Sequence, residues 1–170
     1  MGTGLASTMR MGNDTTGRAT IRERFLADHR EIEALLEKVL ATCEDDDRED
    51  IATVWTEFDA RLLAHMEAEE RYLIPLLQRV NPRACRAILE EHKHFRARLT
   101  ALCTEVDLHT LRLSEAKAFI GELRAHSAHE DKTLYRLADQ ELKTPAQEPL
   151  FTALLNRTRH TAHTPARPTG

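Results

Sequence analysis

Two polar residues one helical turn apart, His65 and Glu69, stand inside an apolar helical stripe, and this pairing constrains the fold more than any other feature of the sequence. Ile51, Trp55, Phe58, Leu62, His65, Glu69, Tyr72 and Leu76 succeed one another at steps of four and three, the spacing of one core-facing helix face. An imidazole and a carboxylate therefore take core positions. Desolvating an ionised carboxylate costs far more than one hydrogen bond returns, so Glu69 needs a compensating charge. An arginine or lysine from another helix would supply it, and so would a metal cation.

Three further stripes share the pattern. Ile21, Phe25, His29, Ile32, Leu36 and Val39 predict a helix from Thr20 to about Cys43. An acidic loop over Glu44 to Asp50 comes next, and the His65 helix is expected from Asp50 to Arg79, loosened at Pro75. Asn81-Pro82 reads as a cap and first helical position for a third helix carrying Cys85, Ile88, His92, Phe95, Leu99, Leu102 and Val106. Ser114 is the expected cap of a fourth, with Phe119, Leu123, His126, Glu130, Leu134 and Leu137 inward. The fold class is all-α: an up-down-up-down antiparallel four-helix bundle over residues 20–142. Residues 1–19 are expected to form a disordered leader, and 143–170 a tail with a short helix over 148–158.

Composition narrows the function classes. The chain has 170 residues, 5% aromatic and 31% charged, with 24 Lys and Arg against 28 Asp and Glu. That mildly acidic balance argues against nucleic acid or an anionic membrane as partner. No apolar run reaches membrane-spanning length, and three cysteines without ligand spacing, Cys43, Cys85 and Cys103, fit a reducing cytoplasmic compartment. A monomer or weak dimer is expected. The nine histidines are the unusual feature.

Four of them, His29, His65, His92 and His126, each stand on one helix's apolar face. In an antiparallel hairpin, residues at one height are equidistant from the turn. The midpoints of successive pairs are 47, 78.5 and 109, and each falls in or beside a connecting loop. Glu69 and Glu130 both lie four residues after a histidine, and both histidine and glutamate recur at an offset of 61. Four imidazoles in one layer with two carboxylates one turn along make the donor set of a metal pair: terminal nitrogens, bridging oxygens. His129 stands one step off the core face, as a fifth nitrogen ligand or a partner that positions one. Tyr72 and Tyr135 are within reach to supply a proton or electron, or are ordinary core residues. His94 is expected on the exposed side, and Asp28 and Glu33 flank His29 either to orient it or as solvated charges.

The segments DHREIEALL, HMEAEERYLIPLL, EEHKHFRARL and HSAHEDKTLYRLAD resemble the hemerythrin-like HHE cation-binding family over about residues 21 to 140. The resemblance implies a non-haem di-iron centre, two iron ions with an oxo or hydroxo bridge, held by His29, His65, Glu69, His92, His126 and Glu130. Two departures stand out. The oxygen carriers have a second histidine where this chain has Arg96, and they place the last carboxylate at the position of Asp131, whereas the internal offset selects Glu130. The implied ligand is a small diatomic molecule or peroxide, with the redox partner left unspecified. The leading function is binding or sensing of oxygen or a related redox molecule. A peroxide-consuming or nitric-oxide-reducing enzyme is the alternative, and iron storage or donation a third reading.

Overall fold

The structure, a computed structural model, describes residues 19–45 and 48–141. The expected leader and the tail with its helix over 148–158 lie outside these residues, except for residue 19. Helices account for most of the described chain, with no strand among the described residues. α1 spans Ile21–Asp45 and α2 spans Arg48–Ala68, so the acidic connection is shorter than the 44–50 loop expected. α2 runs on through a wider π-helical turn, Glu69–Leu73, into the short α3, Ile74–Leu77. α4 covers Pro82–Asp107 and α5 covers Leu113–Glu130. A second π turn, Asp131–Tyr135, leads from α5 into α6, Arg136–Glu141.

The caps obey the sequence once and depart from it once. Asn81 accepts a hydrogen bond from the Ala84 backbone N–H at 3.1 Å, satisfying one of the free donors at the start of α4 while Pro82 needs none. Ser114 is no cap. α5 begins two residues earlier than that cap implies, at Leu113, with Arg112 in extended conformation before it and no side-chain hydrogen bond there.

Most of the predicted inward residues are buried, and they fall into two apolar clusters. One holds Ile32, Leu36, Trp55, Phe58, Leu62, Phe95, Leu99, Phe119 and Leu123 among others. The second, toward the start of α1, holds Ile21, Phe25, Leu73, Leu77, Cys85, Ile88, Leu134 and Tyr135. Each large side chain buried there contributes roughly 1.5 to 3 kcal/mol. His29, His65, His92 and His126 fall between the clusters along their own helices, so a polar layer is sandwiched by apolar ones. Across α1 and the last helical stretch, Arg22 meets Asp131 and Asp139, Arg124 meets Glu33 and Glu37, and Lys117 meets Glu44.

The π turns correct the expected register. In the first, the Ile74 backbone N–H reaches the Glu69 carbonyl, five residues back instead of four. One extra residue in a turn rotates the helix beyond it by about 100°. Leu73 and Leu77 are consequently fully buried, whereas Leu76, expected inside, is 42% exposed and Tyr72 is half-buried. In the second, Tyr135 and Ala138 join Leu134 inside, and Leu137 is only half-buried. Pro75 lies just beyond the first π turn, yet the second has no proline, so proline alone does not account for the pair.

This register makes a simple contrast. Leu73→Ala should cost about 2–5 kcal/mol of unfolding free energy, whereas Leu76→Ala should stay within about 0.5 kcal/mol. Urea denaturation of the two variants checks it; a continuous α-helix would put both residues on the inward face and make their costs comparable.

Candidate metal centre

Each of the four helical stretches brings one imidazole to the polar layer, and in all four rings Nε2 lies near a carboxylate of the layer or another ring's Nε2. His29 Nε2 is 2.9 Å from His65 Nε2 and 3.1 Å from Glu130 Oε2. His92 Nε2 is 3.2 Å from Glu130 Oε1 and 3.3 Å from Glu69 Oε2, and His126 Nε2 is 2.9 Å from Glu130 Oε1. Glu130 thus offers one oxygen to each pair of histidines. Two groups of donors result, His29, His65 and Glu130, and His92, His126 and Glu130, with ligand atoms in each within 4.8 Å of one another.

Buried atoms left over show what the layer can accept. Glu69 Oε2 has no hydrogen-bond partner, and His126 Nε2 lies close to Glu130 but off the line a hydrogen bond requires. Two imidazole nitrogens at 2.9 Å repel unless a proton or a cation lies between their lone pairs. A nitrogen and oxygen donor set of this kind suits a borderline divalent metal such as iron or zinc. The residues fit a pair of cations sharing Glu130.

Outside the layer, carboxylates orient the rings. Asp28 accepts from His65 Nδ1 at 2.7 Å, Glu70 from His92 Nδ1 at 2.9 Å and Glu91 from His126 Nδ1 at 2.6 Å. An Nδ1–H committed outward leaves the Nε2 lone pair for the centre, the arrangement that positions and strengthens imidazole ligands. Each carboxylate is itself held: Asp28 by Arg61, Glu70 by Arg96 at 2.7 and 3.0 Å, and Glu91 by His129 Nδ1 at 2.7 Å.

The structure brings His29, His65, Glu69, His92, His126 and Glu130 together and sorts the remaining candidates. Glu130 points inward, while Asp131 binds Arg22 at 2.5 and 3.0 Å. Arg96 stands outside, on Glu70. His129 stays on Glu91, away from both donor groups. His94 is exposed and pairs with Glu122. Tyr72 packs at the edge of the second cluster with the Arg71 guanidinium over its ring. Tyr135 is at the centre: its O–H donates to Glu69 Oε1 at 2.6 Å, and its oxygen is 3.1 Å from His29 Nε2 and 3.2 Å from Glu130 Oε2. The ring is buried and stacks on Phe25 at 4.9 Å between centroids.

Sequence reasoning attached Asp28 to the wrong ring and missed Glu70 and Glu91. Glu33, the other flank of His29, pairs with Arg124 instead. A signal for the outer carboxylates exists. An acidic residue directly precedes a layer histidine in both hairpins, Asp28 before His29 and Glu91 before His92, and neighbours in a helix point about 100° apart. Each must therefore serve the adjacent helix.

Among known proteins, the sequence model of the hemerythrin HHE cation binding domain matches residues 20–138. No curated protein and no solved structure matches the chain significantly.

The charges set a pH dependence. Burial alone would lower the His65 pKa, but Glu69, Asp28 and Glu130 outweigh it and hold it at about 9. At His92 the same opposition, won by Glu130 and Glu69, gives about 10, and His126 is also raised. Burial would raise Glu130, yet His126, His29 and His92 push it well below the usual carboxylate range. Burial and then Glu130 and Glu69 drive the Tyr135 hydroxyl well above that of a free phenol. Without a cation His65, His92 and His126 hold their protons more tightly than free imidazoles. A histidine raised in the folded state stabilises fully below its unfolded pKa near 6.5, and that contribution fades as pH rises through the folded value. The metal-free protein should lose stability on the order of a few kcal/mol between pH about 6.5 and 10. Urea midpoints across that range test this, and a midpoint that rises with pH would mean neutral rings.

Proposed function

The chain belongs to the hemerythrin HHE cation-binding domain family, and from that premise we propose that it holds two iron ions and binds or senses oxygen or a related small redox molecule there. The observation that carries the proposal is Glu130, whose two oxygens face two separate pairs of imidazoles. His29 and His65 would hold one iron and His92 and His126 the other, with Glu130 between them. Glu69 has its Oε2 between His65 and His92 and its Oε1 occupied by Tyr135, so the two carboxylates serve unequally. The antiparallel pairings of α1 with the last helical stretch support reading the bundle as up-down-up-down. When bound, an iron pair supplies Lewis acidity and exchangeable electrons to a small ligand. The chain's own contribution is to aim the imidazoles, neutralise the buried carboxylates and keep bulky molecules away with Phe58, Leu62, Phe95 and Phe119.

Tyr135 favours a second reading, reduction of peroxide or nitric oxide. Its phenol holds a proton on Glu69, inside the donor layer, and both reductions need protons delivered to oxygen. Two comparisons test these proposals. Removing a donor by His65→Ala or Glu69→Ala should lower both iron content and thermal stability, while His94→Ala changes neither; loss of iron from the His94 variant would contradict the donor set. Reduced iron-loaded protein should respond optically to oxygen in wild type and in Tyr135→Phe alike if it binds or senses. If it is an enzyme, peroxide or nitric oxide turnover should fall about 100-fold or more in Tyr135→Phe. Iron-loaded protein with no optical response to oxygen, peroxide or nitric oxide would contradict both readings.

A further inference from the structure

Three of the four layer histidines are anchored from outside, and the fourth is not. His29 Nδ1 is buried with no hydrogen-bond partner among the described residues, although its side chain is 10% exposed and the other three are at most 4%. The internal repeat explains the gap. Glu69 and Glu130 are 61 residues apart, and the same offset carries Glu70, the anchor of His92, onto Asp131. Asp131 is one methylene shorter and gives both oxygens to Arg22. Glu70 by contrast shares Oε1 between Arg96 and His92. The residue placed to anchor His29 is thus held elsewhere.

The same side of the centre opens outward. A cavity of about 310 Å³ lies between α1 and α5, walled by Leu26, Ile32, Leu36, Ile120 and Leu123, and both His29 and Asp131 line it. On the other side a cavity of about 490 Å³ between α4 and α5 reaches His126, but Glu91 holds that ring's Nδ1, and the donors His92, His126 and Glu130 are all buried, whereas His29 is only partly so.

From this asymmetry we infer that the cation held by His29 and His65 is the exchangeable one of the pair, entering and leaving through the α1–α5 groove, while the one held by His92 and His126 stays. The inference rests on the dinuclear reading and adds an order of loading to it. Anchoring partners of imidazole ligands typically change metal affinity 10- to 100-fold, which sets the expected scale.

Reduced iron-loaded protein, kept anaerobic, is challenged with bipyridine, whose iron complex is coloured. Two phases of one iron per chain each are expected, with rates at least about tenfold apart. His29→Ala should retain one iron and show the slow phase alone. Arg22→Gln, which frees Asp131 to turn to His29, should slow the fast phase, as should Ala128→Trp at an exposed position on the groove wall. Both irons leaving in a single phase would overturn the inference and leave the dinuclear reading intact, and the wild-type protein decides this even if a variant fails to fold. Fewer than two irons per chain before the challenge would overturn the dinuclear reading itself and the inference with it.

Discussion

Glu69 and Glu130, two carboxylates with no exposure to solvent, set the terms for everything around them. Burial of one ionised carboxylate without compensation is costly enough to protonate it or unfold its site, and here two lie within reach of the same histidines. No lysine or arginine among the described residues supplies the counter-charge inside the layer. His65, His92 and His126 do, aided by a tyrosine hydroxyl, and outer carboxylates fix how these three rings present their nitrogens. The two apolar clusters carry the packing energy that lets this layer exist at mid-bundle. Protons or cations then compete for the same inward lone pairs, which is why cation affinity should rise over the pH range where the metal-free protein weakens.

The π turns link the backbone to this chemistry. A regular α-helix from Glu130 onward would carry Leu137 further inward and Tyr135 away from the layer. The wider turn over Asp131–Tyr135 rotates the phenol between Glu69, Glu130 and His29. The matching turn after Glu69 seats Leu73 and Leu77 in the neighbouring cluster. Both begin at or just after a layer glutamate, and such turns commonly occur at functional sites.

The histidine stripes were legible because helix periodicity is strict where a face is buried. Every inward residue predicted in α4, from Cys85 to Val106, is buried, and the midpoint rule correctly brought four histidines to one level. What escaped was whatever depends on a local break in that periodicity or on side-chain reach. Tyr72 and Leu76 were assigned inward because an inserted residue leaves no mark in an apolar pattern. Asp28 was attached to His29 by sequence proximity, although its side chain projects toward α2. Glu70 and Glu91 look like ordinary surface charges until the neighbouring helix is in place. Asp131 was weighed as a ligand from its family position, and its bond to Arg22 required the packing of α1 against the second π turn.

A dinuclear centre divided by one carboxylate is the central claim, and anomalous scattering from crystals of the iron-loaded protein at the iron edge tests it most directly. Two peaks are predicted on opposite sides of Glu130, one beside His29 and His65 and one beside His92 and His126. A single peak, or peaks seated on Glu91 and His129 instead, would contradict it.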